Sequence, residues 1–87
     1  MREGSVVVMK NSTCPIIDLP ATGANIRRLR LEKGYSISAL QQYLRLESPQ
    51  AVYCWQRGRN LPSVDNLYAI SKLWGVSMND ILVEKAG

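Results

Sequence analysis

Few residues of this sequence could carry out covalent or metal chemistry. The chain has no histidine and only two cysteines, Cys14 and Cys54, which lie far apart in the sequence. Two thiols without histidine cannot form an ordinary zinc site, and we interpret both as free thiols in a reducing compartment. Asp65 and Asp80 each fall at the start of a predicted helix, where the helix dipole explains them. With no glycine-rich phosphate loop, we predict no enzyme, no cofactor, no metal and no small-molecule ligand.

The remaining polar chemistry is basic. Eleven lysines and arginines face seven acidic residues, which gives a net charge of +4. This balance suits a polyanionic partner but does not prove one. Arg57, Arg59 and Asn60 stand close together, as in many solvated loops and in loops that contact phosphates. No apolar run approaches the roughly 18–20 residues of a membrane span, so we predict no membrane association and a cytoplasmic location.

The element that precedes these residues is a pair of short helices. Ser36 is a good N-cap for the first helix, which we predict over residues 37–44. Leu40 and Leu44 then fall on one apolar face of that helix. A turn of about three residues leads to the next helix, and together they have the outline of a helix-turn-helix.

The second helix of the pair is predicted over residues 49–57. Ser48 is its expected N-cap, and Pro49 takes the first helical position, where a missing N–H costs nothing. Val52 and Trp55 form its buried side. Gly58 stands where a left-handed residue ends a helix.

Three further helices complete the prediction. Helix one starts at Thr22 or Gly23 and is closed by Gly34. Ser63 caps helix four, and Ser77 with Asp80 forms a capping-box start to helix five. The apolar stripe of helix four consists of Val64, Leu67, Ile70, Leu73 and Trp74. No strand pattern follows residue 20, and we predict a compact all-α domain.

These elements, in this order, carry a family resemblance. The motifs are Trp55-Gln56-Arg57-Gly58, Leu61-Pro62, and the tail Leu67…Ile70…Leu73…Gly75-Val76-Ser77…Ile81-Leu82, with Arg30, Leu40 and Leu44 before them. Over residues 23–83 they resemble the Cro/C1-type (phage repressor-like, XRE) helix-turn-helix family. The resemblance implies a five-helix lambda-repressor-like fold with helix three in the major groove of double-stranded DNA. It also implies a homodimer, although the sequence itself leaves the oligomeric state open.

The resemblance implies which residues read bases. Gln50 matches the main base-reading position of the family, and its amide can bind N6 and N7 of adenine together. Ala51 could touch a thymine methyl group. Cys54 stands where the family generally places a polar or basic side chain, so base reading there is either weaker or relies on apolar contact. A redox-sensing role for Cys54 and a plain, partly exposed thiol both stay open.

The resemblance also implies phosphate contacts on both sides of helix three. Ser36 and Ser38 lie at the start of helix two, where free N–H groups suit an anion. The remaining candidates are Arg45, Tyr53, Arg57, Arg59 and Asn60. For Tyr53, covering the helix edge is an equal alternative, and for the others the alternative is a solvated surface without DNA contact.

Several positions depart from the family pattern. Ile37 replaces a glutamine that contacts phosphate, Gln41 replaces a small residue, and Arg45 replaces a glycine. The turn is one residue longer, which leaves the register of the base-reading residues open by one position. Arg30 and Gln56 match an arginine–carboxylate pair, and here we expect only a structural hydrogen bond.

The domain division and the core complete the prediction. We expect an extended or partly disordered N-terminal arm over residues 1–21, and the helix-turn-helix domain over residues 22–87. The arm is a tail without a role, a strand that pairs with a second subunit, or a segment that reaches DNA. The structural core is expected to contain Leu40, Leu44, Val52, Trp55, Leu67 and Ile70.

The leading functional hypothesis is a sequence-specific DNA-binding transcriptional regulator. The alternative is a protein-interaction module, antitoxin-like or a regulatory partner, that uses the same scaffold. A basic stripe along helix three favours the first reading, and an exposed apolar patch on the same face favours the second. A third possibility is RNA binding, but the sequence predicts none of the aromatic sheet surfaces that usually bind single strands.

Overall fold

The computed structural model describes residues 14–86, which form five helices around one core. The helices are α1 (Leu19–Glu32), α2 (Ile37–Leu44), α3 (Gln50–Gln56), α4 (Val64–Trp74) and α5 (Met78–Ile81). The predicted all-α, five-helix architecture is confirmed. Most of the predicted arm, residues 1–13, lies outside the described residues, as does Gly87. Within residues 14–86, no helix is long and apolar enough to span a bilayer.

Helix α1 begins earlier than predicted. Its first residue is Leu19 rather than Thr22 or Gly23, and the carboxylate of Asp18 accepts a hydrogen bond from the N–H of Ala21 at 3.0 Å. Pro20 lies in the first helical turn, where its missing N–H has no intrahelical acceptor to lose. The proline therefore belongs to the start of α1.

The residues before α1 pair with the residues after α5. Ile17 and Glu84 form an antiparallel bridge, flanked by hydrogen bonds from Asp18 N–H to Val83 O and from Lys85 N–H to Ile16 O, both at 2.8 Å. Within residues 14–86 this bridge is isolated, and it holds residues 16–18 against residues 83–85, which follow α5.

Helices α1 and α3 approach each other closely at Gly23. A Cβ atom built on Gly23 would lie 2.3 Å from the carbonyl oxygen of Trp55 and 2.7 Å from that of Gln56. Real Cβ atoms do not approach backbone oxygens so closely, so only glycine fits there without a shift of the helices. Gly58 is similar, because a Cβ there would lie 2.7 Å from the Cα of Pro20.

The core contains residues from all five helices. Its buried apolar members are Ile26, Leu29, Leu40, Val52, Trp55, Leu67, Ile70, Trp74 and Ile81. Five of the six predicted core residues are therefore buried, while Leu44 is half-buried and packs against the cluster. Val64 belongs to the predicted apolar stripe of α4, but its side chain is 75% exposed and lies outside the core. Val64 is the first residue of α4, and the buried face of that helix starts with Leu67.

The caps of α4 and α5 form as predicted. The hydroxyl of Ser63 accepts from the N–H of Asn66, and Gly75 ends α4 in the left-handed region at φ 68°. Ser77 and Asp80 form a reciprocal capping box at α5. The Ser77 backbone N–H and hydroxyl lower the pKa of the Asp80 carboxyl below its usual value, because both stabilise the carboxylate.

Candidate nucleic-acid interface

The start of α2 presents backbone N–H groups and two serine hydroxyls to solvent. The Ser36 hydroxyl accepts from the Ala39 N–H at 2.9 Å, which leaves its own proton free to donate. Ser38 is exposed, and its oxygen accepts from the side chain of Gln42 at 3.4 Å. Ile37 is half-buried against the core, so the family's polar contact at this position is replaced by packing.

The turn after α2 is held by backbone hydrogen bonds and one side chain. Arg45 is the only non-glycine residue of the described chain with a positive φ, at 57°. Its N–H donates to the carbonyl of Gln42, and the N–H of Leu46 donates to that of Gln41. The Gln41 side-chain amide also donates to the carbonyl of Leu46 at 3.3 Å. Gln41, which departs from the family pattern, therefore stabilises the turn.

Helix α3 starts one residue later than predicted. Pro49 is the N-cap and makes no side-chain capping bond, so the expected cap at Ser48 was wrong by one position. The Ser48 hydroxyl still accepts from the N–H of Gln50, at 3.3 Å. The N-terminus of α3 is therefore held by a short local contact and by packing rather than by a full cap.

The outer face of α3 consists of Gln50, Tyr53, Cys54 and Arg57. Helical geometry places these residues within about 100° of one another around the axis. Gln50 and Arg57 are exposed, Tyr53 is partly exposed, and Cys54 is half-buried. The side chain of Gln50 makes no hydrogen bond within residues 14–86, so its amide is free to pair with another molecule.

Ala51 differs from its neighbours on α3. It is half-buried and packs against the core beside Val52 and Trp55, on the edge of the outer face. The structure thus brings Gln50 and Cys54 together on one face and places Ala51 at the border of that face. Buried Val52 and Trp55 lie on the opposite side and anchor the helix.

The segment after α3 continues the same surface. The Arg57 guanidinium lies 5.7 Å from the centre of the Tyr53 ring, a cation–π distance that orders both side chains. Gly58 has φ 75° and turns the chain, while the N–H of Arg59 donates back to the carbonyl of Cys54. Arg59 and Asn60 are both exposed immediately after the turn.

The interface is basic, and no described residue forms an ion pair with its arginines. Within the described residues the ion pair found is Arg28–Glu32 on α1, so Arg45, Arg57 and Arg59 have no carboxylate partner there. The one acidic side chain in the turn is Glu47, which is exposed. No large aliphatic side chain of residues 36–60 is exposed, so the surface is polar and aromatic.

The buried side chain of Arg30 connects α1 to the C-terminal end of α3. Arg30 of α1 donates from Nε to the side-chain oxygen of Gln56 at 2.9 Å, and from its guanidinium to the carbonyl of Tyr35 at 2.8 Å. The predicted Arg30–Gln56 hydrogen bond is confirmed. It ties the end of α1, the loop before α2 and the end of α3 to one side chain.

The helix-turn-helix family model matches residues 26–81, which is most of the described chain. The protein belongs to the Cro/C1-type helix-turn-helix family. The resemblance drawn from the sequence is thereby confirmed, and the matched range includes all of α2, α3 and α4.

Solved structures of this fold are similar to the chain. The restriction-modification controller protein C.AhdI from Aeromonas hydrophila shares 25% identity, with a TM-score of 0.65 over 74% of this chain and 96% of that one. The clp gene regulator ClgR from C. glutamicum shares 27%, with a TM-score of 0.65 over 80% and 88%. The S. venezulae BldD DNA-binding domain, at 21% and a TM-score of 0.62 over 76% and 97%, supports the fold alone. No curated protein sequence matches the chain.

Proposed function

We propose that this helix-turn-helix protein is a sequence-specific DNA-binding transcriptional regulator that places α3 in the major groove. The observation that carries the proposal is the polar surface on and beside α3, where within residues 14–86 the amide of Gln50 makes no side-chain hydrogen bond and Arg45, Arg57 and Arg59 have no carboxylate partner. A regulator of this kind acts by occupying its site rather than by catalysis, and it works in the cytoplasm with the DNA.

In this proposal the residues divide into base contacts and phosphate contacts. Gln50 reads an adenine through its amide, and Cys54 offers a small, weakly polar contact one turn further along. Ala51, at the edge of the face, reaches only a base displaced toward that edge. Phosphate contacts come from both flanks of α3, and they set the register without reading sequence. The flanking residues are Ser36, Ser38, Arg45, Tyr53, Arg57, Arg59 and Asn60.

The alternative, a protein-interaction module on the same scaffold, receives less support. An apolar partner would need exposed aliphatic surface, and residues 36–60 expose none that is large. The unpaired arginines favour a polyanion instead.

Selection from random duplex DNA tests the proposal, with binding of the selected duplexes followed across salt concentration. We expect an enriched motif and a slope of log affinity against log salt that flattens by about one unit in Arg57→Ala and in Arg59→Ala. Arg28→Ala is the matched control, because Arg28 is an exposed arginine of α1 that already pairs with Glu32. Absence of any enriched motif, with weak binding to all duplexes, would refute sequence-specific recognition.

A further inference from the structure

The two ends of α3 are held in different ways. At the C-terminal end, the carbonyl oxygen of Gln56 lies against Gly23, and the Gln56 side chain accepts a hydrogen bond from Arg30. The N-terminal end has no side-chain capping bond at Pro49. The orientation of that end therefore depends on the segment that leads into it, residues 45–49.

One residue of α2 bonds both backbone groups of Leu46. The N–H of Leu46 donates to the carbonyl of Gln41 at 3.0 Å, and the side-chain amide of Gln41 donates to the carbonyl of Leu46 at 3.3 Å. The Leu46 side chain is half-buried and packs against the core. Because Leu46 is held at its N–H, its carbonyl and its side chain, it has a defined position from which the chain continues to α3.

The chain between Leu46 and α3 is short. Three residues, 47–49, separate Leu46 from Gln50, the first residue of the helix. Within them, the Ser48 hydroxyl accepts from the N–H of Gln50 at 3.3 Å. Three extended residues span at most about 11 Å, so a shift of Leu46 also moves Gln50. The position of the proposed adenine reader thus depends on how Leu46 is held.

The side chain of Gln41 is a feature of this chain rather than of its family. The family pattern has a small residue at this position, so a helix-turn-helix forms without the amide. The Gln41 side chain is half-buried, and its amide bonds the turn instead of lying on the outer face of α3. Its effect on DNA is therefore exerted through the position of α3.

We propose that Gln41 is a positioning residue for base recognition, because its bond to the Leu46 carbonyl sets the direction in which α3 presents Gln50. The inference rests on the proposed function for its DNA readout. Without the bond, the Leu46 carbonyl is hydrated and the turn takes several orientations, so Gln50 is aligned with a base edge for less of the time. Phosphate contacts, which set the register without reading sequence, are less sensitive to this loss.

The first test needs no DNA and compares amide hydrogen exchange in wild type and Gln41→Met. Methionine keeps the length of the side chain but has no N–H to donate. The N–H groups of Leu46 and Gln50 should exchange about fivefold faster, the factor that one ordinary hydrogen bond contributes to local opening. The N–H of Arg57, at the other end of α3, should exchange as in wild type. Unchanged exchange at Leu46 would overturn the proposal.

Gln42→Met is the matched control for this substitution. Gln42 is the next residue of α2, it is exposed, and its amide donates to the hydroxyl of Ser38 at 3.4 Å rather than to the turn. The control should leave both the exchange rates and DNA binding as in wild type. Equal effects of Gln41→Met and Gln42→Met would show that any loss of glutamine from α2 produces them, and would overturn the proposal.

The second test measures binding to a selected duplex and to a scrambled one. Gln41→Met should bind the selected duplex about fivefold more weakly, relax the preference at the base position that Gln50 reads, and bind the scrambled duplex as wild type does. The salt dependence should not change, because no cationic group is removed. Equal losses on both duplexes would mean that Gln41 supports backbone contact or the fold as a whole, and would overturn the proposal.

A double variant shows whether Gln41 acts through Gln50. Gln41→Met combined with Gln50→Ala should bind the selected duplex no more weakly than Gln50→Ala alone, since the residue to be positioned is already absent. Two losses that multiply would overturn the proposal. The proposed function fails separately, when wild type enriches no motif, and exchange at Leu46 still decides without DNA whether Gln41 holds the turn.

Discussion

Helix α3 packs against α1 and is joined to α2 by the turn over residues 45–49, and different interactions hold these two regions. Against α1, backbone carbonyls of α3 lie directly on Gly23, and the buried Arg30 bonds Gln56. At the turn, a left-handed Arg45 and the amide of Gln41 hold the chain. The α1 side is a close-packed contact that tolerates no added atom, while the turn is a hydrogen-bonded one that carries strain.

This difference separates the contact that holds α3 in the fold from the turn that sets its orientation. Steric contact fixes the distance between α1 and α3 whatever the solvent. The turn, in contrast, keeps a residue at a positive φ, which is unfavourable for every residue but glycine. Substitutions on the α1 side should therefore unfold the protein, and substitutions in the turn should change binding while the fold persists.

The largest effect is expected at Gly23. Gly23→Ala should lower the free energy of unfolding by about 3 kcal/mol, because the new methyl group would overlap the carbonyl oxygens of Trp55 and Gln56. Gly34→Ala is the control: Gly34 has φ 80°, but a Cβ added there would meet no atom within 4 Å apart from its chain neighbours, so this variant should lose only about 1–2 kcal/mol from backbone strain. Urea denaturation of both variants measures the difference. Equal losses would mean that the α1–α3 approach is not the constraint.

The next effect is expected at the Arg30–Gln56 hydrogen bond. Gln56→Leu leaves a buried guanidinium N–H without its acceptor and should cost about 1–3 kcal/mol. Gln56→Glu supplies a carboxylate to the same guanidinium and should stabilise the fold by about 1 kcal/mol. Thermal unfolding of the two variants beside wild type measures both. A Gln56→Glu variant less stable than wild type would contradict this interpretation of the contact.

A smaller effect, of opposite sign, is expected in the turn. Arg45→Gly should raise the free energy of unfolding by about 0.5–1 kcal/mol, because glycine adopts φ 57° without strain. The same substitution removes a proposed phosphate contact, so DNA affinity should fall on all duplexes alike. Arg45→Lys keeps the charge and the strain, and it should retain both the wild-type stability and most of the affinity. Lower stability in Arg45→Gly would show that the arginine is not strained.

The smallest effect is expected at Asp80, in the capping box of α5. Its pKa is lowered by bonds from Ser77, so the carboxylate stabilises the fold above about pH 4 and loses this contribution as the pH falls through the lowered value. Asp80→Asn should therefore be less stable than wild type at neutral pH and show a shallower loss of stability in acid. Unfolding midpoints measured between neutral pH and acid compare the two. If the unfolding midpoints of the two proteins fall in parallel with pH, Asp80 does not contribute to the loss of stability in acid.

Some elements could be predicted because their signals are local. The caps at Ser36, Ser63 and Ser77 each depend on a hydroxyl and an N–H three residues later, and all three form. The Arg30–Gln56 bond was predicted from the family resemblance, since the two residues are far apart in sequence.

Other features could not be predicted because they depend on neighbours in space. The approach of α1 to α3 at Gly23 depends on carbonyls more than thirty positions away. Pro20 is compatible with a helix only because α1 begins immediately before it, after the N-cap at Asp18. Val64 fits the apolar period of α4, yet no other element covers it. The brace from Gln41 follows from the path of the turn, which residue types alone do not specify.

The most direct test of the account compares Gln50→Ala with wild type on a selected duplex and on a scrambled one. If the outer face of α3 reads bases, Gln50→Ala should lose about 1–3 kcal/mol on the selected duplex, relax the preference at one base position, and bind the scrambled duplex as wild type does. Equal losses on both duplexes would contradict base reading by α3 and reduce Gln50 to a general contact.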